Sequence, residues 1–263
     1  MVPDPIAHLS RGRCAADLPA RHDPAPLWLV RPARMLPTGD DWLTGAERRT
    51  AAGLRFPKRR GEFLLRRLAG KHAVAAVTGR GTDPTALATI GIANAPDGAP
   101  YVTLDGRPAA LGLSLSDRSG WALCVLGDRI GCDLELVERR SAGFVTDFLT
   151  AAEASFVAAS GMDAAVTANV VWSAKESALK VCRAGLRRDT RELDVTVGAP
   201  GHDGWGALWV EDREGGGYPG WWRRDGRFVL TVAAEGPLHR PAALDPDMTL
   251  AGAEPGGWSP APG

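Results

Sequence analysis

The sequence lacks several features that mark whole classes of protein. It has no run of about 18 apolar residues, so no segment is predicted to cross a membrane. Residues 1–13 lack the apolar core of a signal peptide, so we expect an intracellular, cytoplasmic protein. The 31 Lys and Arg residues balance the 31 Asp and Glu residues, so no net field favours nucleic acid or an acidic membrane as a partner.

Cysteine is also scarce, with only Cys14, Cys124, Cys132 and Cys182 in the chain. These residues form no CxxC pair, and no histidine cluster accompanies them, which argues against a zinc site. Cys124 and Cys132 lie in apolar runs, where small core residues are more common than reactive thiols. We therefore expect reduced cysteines.

Helical segments beside short strands occur in both halves of the chain, whose 263 residues suffice for two modest domains. We predict an α+β fold of two similar lobes, although no residue-level repeat is visible. The predicted division is an irregular lead-in at 1–26, an N-terminal lobe at 27–128, a C-terminal lobe at 129–238 and a disordered tail at 239–263. The tail is rich in Pro, Gly and Ala without periodicity.

Basic residues concentrate on one predicted helix of the N-terminal lobe. Thr44 and Glu47 fit a capping box that begins a helical stretch. A second helix is predicted over 59–77 from the spacing of its apolar residues. Arg60, Arg67 and Lys71 follow one another at intervals of seven and four residues. This spacing places them in line on the polar face of that helix.

The second half of the chain alternates strand and helix patterns. We predict a hairpin of WALCVL and IGCDLELV joined by the turn GDR, and later strands in a meander. One helix is predicted over 144–160. Another is predicted over 168–182, with Gly185 as its stop.

Two acids stand in the otherwise apolar strand GCDLELV. Side chains alternate along a strand, so Asp133 and Glu135 share one face while their apolar neighbours point into a core. Two carboxylates on one face repel each other and favour a divalent cation or basic side chains beside them. A solvated outer face of an edge strand explains the same pattern equally well.

A helix about forty residues later carries a matching set of polar side chains. Trp172, Glu176 and Lys180 are spaced four residues apart and share one face, with Lys175 flanking it. Taken alone, Glu176 and Lys180 fit a surface pair worth about 0.3–0.5 kcal/mol, with Trp172 in the core. Beside the strand acids, Glu176 would complete a three-carboxylate Mg²⁺ site, and Lys180 would reach a metal-bound phosphate.

The two segments together are similar to a known family. GCDLE and WSAKESALK resemble the two signature motifs of the 4′-phosphopantetheinyl transferases, and the intervening FLTAAE segment with Glu153 fits their spacing. The chain length resembles the larger, monomeric, two-lobed (Sfp-like) type. The likeness is strongest over about 110–200 and continues back to about 45, where KRRGEFLLRRLAGK is similar to a basic helix of the family.

The resemblance implies a fold and a reaction. The fold would be two pseudo-symmetric α/β lobes with the active site between them. The enzyme would transfer 4′-phosphopantetheine from coenzyme A to a serine of an apo acyl, polyketide or peptidyl carrier protein and release 3′,5′-ADP, as a holo-[acyl-carrier-protein] synthase does. It would use Mg²⁺, with Mn²⁺ as the alternative. It would work as a monomer in secondary metabolite biosynthesis.

The resemblance also implies roles for the motif residues. Asp133, Glu135 and Glu176 would be the metal-binding acids, and Asp133, Glu176 and Lys180 the catalytic set. Glu176 would be the base for the carrier serine, directly or through water. Lys180 would bind a phosphate or help the leaving group, and Lys175 would hold the same anion.

Coenzyme A contacts are implied by weaker matches. Ser116 in SLSDRSG would lie near the nucleotide phosphates. Asp117 stands where the family usually has a histidine, and it would bind metal or pair with Arg118 instead. Gly98 and Pro100 occupy the place of a G-[KR]-P motif whose basic residue is missing here, so Arg60, Arg67 or Lys71 would hold the 3′-phosphate. The alternative for that helix is a solvated basic face, and Arg107 is a substitute for the missing cation.

Two other functions remain open from the sequence. A non-catalytic homologue that binds coenzyme A or a carrier protein would explain the departures at Asp117 and Ala99. An unrelated Mg²⁺-dependent phosphohydrolase would need a positioned water but no carrier-docking surface. Retention of all three acids and both lysines of the motifs favours the transferase.

Overall fold

A computed structural model of the protein describes residues 25–183 and 188–253. The N-terminal half contains β1 (Leu27–Pro32), α1 (Gly45–Gly53), α2 (Pro57–Thr78), α3 (Pro84–Ala88), β2 (Ile90–Asn94), β3 (Pro100–Leu104), β4 (Arg107–Pro108), β5 (Leu113–Arg118) and β6 (Trp121–Leu126). The C-terminal half contains β7 (Ile130–Leu136), α4 (Ala142–Phe148), α5 (Ala151–Ala159), α6 (Ala164–Val181), β8 (Leu193–Pro200), β9 (Trp205–Asp212), β10 (Gly217–Asp225), β11 (Phe228–Ala234) and β12 (Ala242–Ala243). The mixture of helices and sheets confirms the predicted α+β class.

The strands form three described sheets. Their orders are β12-β1-β6-β5, β7-β11-β10-β9-β8 and β2-β3-β4. Helix α2 packs on the first sheet and α6 on the second, while apolar side chains such as Trp28, Leu123, Leu134 and Phe228 fill the space between these two sheets. The late strands β8 to β11 form the predicted meander, because each pairs with the next in antiparallel register.

The predicted hairpin of WALCVL and IGCDLELV is wrong. β6 pairs with β1 and β5, whereas β7 pairs with β11 in the other sheet. The turn residues therefore carry the chain from one sheet to the next. The hairpin lies one connection earlier, between β5 and β6, where Ser119 and Gly120 have φ values of 49° and 78°. Positive φ at both central residues is the geometry that a tight hairpin turn requires.

The single helix predicted over 144–160 is divided in two. Leu149 adopts an extended backbone after α4, and Thr150 then caps α5. Thr150 and Glu153 form a capping box that satisfies the free N–H groups at the start of a new helix. The apolar periodicity, which continues through this point, does not reveal the break.

The predicted disordered tail is wrong for residues 239–253. β12 pairs in parallel with β1, and Leu250 is fully buried with its N–H bonded to Asp225 at 2.9 Å. The pairing of β12 with β1 and the hydrogen bond from Leu250 to Asp225 hold this segment against the protein, although its sequence has no periodic pattern. Residues 254–263, the lead-in at 1–24 and Gly185 lie outside the described residues.

A buried ion pair stabilises the start of the N-terminal lobe. Thr44 and Glu47 form the predicted capping box, and the N–H of Ile92 donates to the other oxygen of Glu47 at 3.0 Å. Lys71 lies 2.7 Å from Glu47 and is 0% exposed. Its ammonium also donates to two main-chain carbonyls, so each charge is fully engaged.

The C-terminal lobe repeats this arrangement atom for atom. Thr150 and Glu153 form the capping box, Val195 donates its N–H to Glu153 at 2.8 Å, and Lys175 lies 2.6 Å from Glu153. The carbonyls that accept from the lysines are those of Trp42 and Leu87 in the first lobe and of Phe148 and Thr190 in the second. The pseudo-symmetry of the lobes is therefore a residue-level repeat that plain sequence comparison misses.

Replacement of Lys175 by alanine should destabilise the protein strongly. The change leaves the carboxylate of Glu153 buried without its counter-charge, which typically costs about 3–5 kcal/mol. Urea denaturation followed by circular dichroism measures the change in unfolding free energy. Lys58→Ala is the control, because Lys58 is 78% exposed and 3.9 Å from its partner, so its loss should cost less than about 1 kcal/mol. Equal losses in the two variants would contradict this account.

Candidate active site

Two serines of β5 join the two large sheets at β7. Ser114 Oγ accepts the N–H of Cys132 at 2.9 Å, and Ser116 Oγ accepts the N–H of Leu134 at 3.3 Å. The two serines are two residues apart in β5, and the two N–H groups that they accept are two residues apart in β7. The sequence Ser-Leu-Ser therefore has the same spacing as the N–H groups that point to one side of a strand. Ser116, predicted to lie near nucleotide phosphates, therefore lies against β7.

Asp133 is the most heavily bonded acid of the site. Its Oδ1 accepts from Ser116 at 2.8 Å and from Lys180 at 2.9 Å, and its Oδ2 accepts from Ser173 at 3.0 Å. Lys180 also donates to the carbonyl of Cys132 at 2.7 Å. Burial lowers the pKa of Lys180, but Asp133, Cys132 and Glu176 together more than offset this, and the net pKa lies above its ordinary value. Lys180 is therefore a fixed positive charge.

Glu135 points to the same face as Asp133, as alternation predicts, and both are buried. Its Oε1 accepts from the indole N–H of Trp172 at 3.1 Å, and its Oε2 lies 3.0 Å from Arg140 and 3.4 Å from Arg118. Burial and the charge of Asp133 raise the pKa of Glu135. The interpretation of this strand face as solvated is wrong, and Trp172 orients a carboxylate in addition to packing.

Glu176 is the acid with an unused oxygen. Its Oε1 is buried and has no hydrogen-bond partner among the described residues. Burial, followed by repulsion from Asp133, raises the pKa of Glu176 to about 6, although Lys180 opposes the shift. A buried carboxyl group with a raised pKa is a frequent property of catalytic sites.

Helix α6 approaches β7 closely because of the glycine in GCDLE. A Cβ at Gly131 would lie 1.9 Å from the carbonyl oxygen of Ser177. No side chain fits there without moving the helix away from the strand. Gly131 therefore sets the distance at which Glu176 and Lys180 face Asp133.

The contacts of Asp133, Glu135 and Glu176 show how far these predicted metal ligands are arranged to hold a cation. No three His, Cys, Asp or Glu side chains of the described residues are arranged as a metal site. Asp133 and Glu135 turn their oxygens to protein donors. The unpartnered oxygen of Glu176 and the hard carboxylate donors nevertheless fit Mg²⁺ chemically. The metal roles of Asp133, Glu135 and Glu176 stay predictions.

A cavity of about 1210 Å³ lies between the two lobes, and Lys180 lines it, whereas Asp133, Glu135 and Glu176 are not part of its described wall. It is large enough for a nucleotide-sized ligand. Its wall includes Arg66, Arg67, Gly98 and Pro100 from the N-terminal lobe and Lys180 and Arg183 from the C-terminal lobe. Gly98, Pro100, Arg67 and Lys180 thus lie where a cofactor-binding role requires, although that role stays a prediction.

Five predicted cofactor-binding residues lie outside the described cavity wall, namely Arg60, Lys71, Ser116, Asp117 and Lys175. Lys71 and Lys175 are fully buried in the repeated ion pairs, so neither is available to an anion and both predictions are wrong. Arg60 pairs with Asp40 at 3.1 Å and lies outside the described cavity wall. Arg60, Arg67 and Lys71 do lie along one side of α2, as their spacing predicts. That side is exposed at Arg60 but is buried in the protein interior at Lys71.

Sequence reasoning missed Arg66 and the partner of Asp117. Asp117 forms a salt bridge with Arg66, while Arg118 pairs with Glu135 and Glu138. The expected pairing of Asp117 with Arg118 is therefore wrong, because neighbouring strand residues point to opposite faces. The doublet Arg66–Arg67 was the available signal, since adjacent residues on a helix point about 100° apart and so meet different surroundings.

Comparison with known proteins bears on the C-terminal part of this site. Residues 129–219 match the family model described as the 4′-phosphopantetheinyl transferase superfamily. Comparison with curated proteins gives no significant match. The superfamily that the two motifs predict is thus confirmed, and it supports phosphopantetheine transfer as the general activity.

The matched segment contains β7 and α6, and hence Asp133, Glu135, Glu176 and Lys180. The serines of β5 and the arginines of α2 precede the matched residues. The matched segment contributes the acids, whereas most of the cavity wall comes from outside the match. In the part of the chain that the structure describes, no helix is long and apolar enough to span a membrane.

The raised pKa of Glu176 predicts a pH-dependent stability. A native pKa of about 6 against an ordinary value of 4.5 means that the folded protein binds this proton more tightly than the unfolded chain. Stability due to this group is therefore present below pH 4.5 and is lost as pH rises through 6. Glu176→Gln should raise the unfolding free energy by about 1–2 kcal/mol at pH 7.5 in metal-free buffer, with the gain shrinking toward pH 4.5.

Urea denaturation at several pH values, with EDTA present, measures this effect. Glu214→Gln is the matched control, because the side chain of Glu214 is 79% exposed. A Glu176→Gln variant that is less stable than the parent at pH 7.5 would show that the carboxylate is not strained in the fold.

Proposed function

We propose that the protein transfers 4′-phosphopantetheine from coenzyme A to a serine hydroxyl of an apo acyl, polyketide or peptidyl carrier protein and releases 3′,5′-ADP. The observation that carries this proposal is the cluster of Asp133, Glu135, Glu176 and Lys180, whose lysine is bonded to Asp133 and lines a nucleotide-sized cavity. That cluster lies within the residues that match the superfamily.

Glu176 is the proposed general base. Its pKa of about 6 leaves it ionised at neutral pH yet close enough to the working pH for efficient proton transfer. Its unpartnered oxygen would accept the proton of the carrier serine, directly or through one water. Removal of that proton makes the serine oxygen the nucleophile that attacks the phosphorus of phosphopantetheine.

Lys180 is the proposed electrostatic partner of the donor phosphates. Asp133 and the carbonyl of Cys132 hold its ammonium group, and the side chain lines the cavity. A pre-oriented positive charge stabilises the charge that develops as the phosphoanhydride breaks, without reorganisation during the reaction. Asp133 is thus a positioning residue for Lys180 as well as a proposed metal ligand.

Asp133, Glu135 and Glu176 are the proposed holders of Mg²⁺, with Mn²⁺ as the alternative. Glu135 and Glu176 both have pKa values raised in part by Asp133, so the three acids repel one another electrostatically. A divalent cation would relieve that repulsion and, when bound, would neutralise the pyrophosphate.

The repeated lobes support the larger, Sfp-like type acting as a monomer in the cytoplasm. One chain supplies both walls of the cavity, with Arg66 and Arg67 on one side and Lys180 and Arg183 on the other. A site assembled from two lobes of one chain does not require a second subunit. Service to secondary metabolite synthases is part of the same proposal and rests on the resemblance.

The deciding experiment incubates the protein with coenzyme A, Mg²⁺ and several apo carrier proteins. Intact-mass spectrometry detects the phosphopantetheine adduct, and chromatography detects 3′,5′-ADP. Adduct and 3′,5′-ADP in equal amounts support the transferase. Nucleotide release without adduct on every carrier supports a phosphohydrolase, and tight coenzyme A binding without either product supports a non-catalytic binder.

Glu176→Gln should lower the transfer rate at least about 100-fold, because loss of a general base typically costs 10²–10⁴-fold. The same variant is expected to be more stable than the parent at neutral pH, so its inactivity would not reflect unfolding. Single-turnover transfer at saturating Mg²⁺ gives the rate, with Glu214→Gln as the control. A rate within a few-fold of the parent would remove Glu176 from the mechanism.

A further inference from the structure

Ser116 and Asp117 lie on opposite faces of β5. Ser116 faces β7 and bonds to Asp133, as described above. Leu113 is part of the core under α2, and Leu115 packs against it. Asp117 lies on the same face of β5 as these two leucines. It meets Arg66 of α2, 51 residues away in sequence, in a salt bridge.

Arg66 stands between Asp117 and the cavity. Its side chain is 33% exposed and lines the cavity, whereas that of Asp117 is 13% exposed. The bond to Asp117 uses Nη1, and a guanidinium has five N–H donors in a rigid fork. An arginine held from behind by a carboxylate presents its remaining donors in a fixed direction, as planar anion recognition requires.

The neighbouring Arg67 supplies a second guanidinium group to the same cavity wall. It is 6% exposed, its Nη2 donates to Asn94 at 2.9 Å, and its Nε lies 3.8 Å from Oε1 of Glu47. Burial and the nearby charge of Arg66 lower its pKa to about 10, although Glu47 opposes the shift. Arg66 and Arg67 thus place two cations, each paired with an acid, along one side of the cavity.

The position of Asp117 relates this wall to the reacting groups. Asp117 follows Ser116, which bonds to the same carboxylate of Asp133 that holds Lys180, and both Lys180 and Arg66 line the cavity, so Arg66 is anchored close to the proposed catalytic lysine. The part of the donor nearest to that lysine is the phosphoanhydride that breaks. The anion at Arg66 should therefore be a pyrophosphate.

We propose that Arg66 binds the pyrophosphate of the donor and that Asp117 is a positioning residue that fixes Arg66 for this contact. In this chain the anion-binding donor lies on α2 and its anchor on β5. Asp117 thus supports anion binding despite its own negative charge. The identity of the donor rests on the proposed function, but the anion site is testable without transfer.

Isothermal titration calorimetry with coenzyme A and, separately, with inorganic pyrophosphate tests the site without carrier protein. Arg66→Gln should weaken both affinities at least about tenfold, as expected for loss of a charge-assisted contact. Asp117→Asn should weaken them about threefold or more in the parent but leave them unchanged in the Arg66→Gln background, because its effect passes through Arg66. Arg60→Gln is the matched control, since Arg60 is on the same helix but outside the cavity wall.

Arg66→Lys keeps the charge without the fork and should bind more weakly than the parent but more tightly than Arg66→Gln. Thermal unfolding shows whether each variant is folded. Unchanged or tighter binding by Asp117→Asn overturns the positioning role, because simple repulsion predicts that result. Equal affinities in Arg66→Gln and Arg60→Gln, or a parent that binds neither ligand, overturn the anion site. Pyrophosphate binding that depends on Arg66 without any carrier modification sustains the site and refutes the proposed function.

Discussion

The buried lysine–glutamate pair is the interaction on which each lobe depends. Glu47 and Glu153 each join a helix start to a later strand, and Lys71 and Lys175 attach the long helix to both. Buried charges are tolerated only when every donor and acceptor is satisfied, so this arrangement admits little variation in how the elements meet. With Lys175 fixed in the core, the next residue, Glu176, necessarily turns toward β7.

The same scaffold carries different chemistry in the two lobes. His72 follows Lys71 as Glu176 follows Lys175, but His72 accepts a bond from Arg31 at 2.9 Å, and burial lowers its pKa to about 4. It is therefore neutral and has a partner. The first lobe contributes Arg66, Arg67 and Ser114 to the shared cavity, and the second contributes Lys180 and Arg183. A duplicated frame thus provides both the proposed anion-binding wall and the proposed catalytic lysine.

Compensation between neighbouring charges explains how so many ionisable groups share one region. Lys180 is balanced by Asp133, Glu135 by Arg118 and Arg140, and Asp117 by Arg66. Against this background, Oε1 of Glu176 is buried without a hydrogen-bond partner, as are Nε of Arg67 and Nε of Arg223 among the described residues. Nε of Arg67 still lies 3.8 Å from Glu47, so the oxygen of Glu176 is the point of this network at which a ligand would supply a missing partner.

The sequence alone determined the local features. Period-two alternation placed Asp133 and Glu135 on one face, the four-residue spacing aligned Glu176 with Lys180, and Thr44–Glu47 began a helix as its capping box requires. These features depend on residues a few positions apart. Only the tertiary structure decided that Lys71 and Lys175 are core residues, that β6 and β7 belong to different sheets, and that Asp117 pairs with Arg66. Each of these depends on which face of an element is covered by another part of the chain, and no local periodicity specifies the covering element.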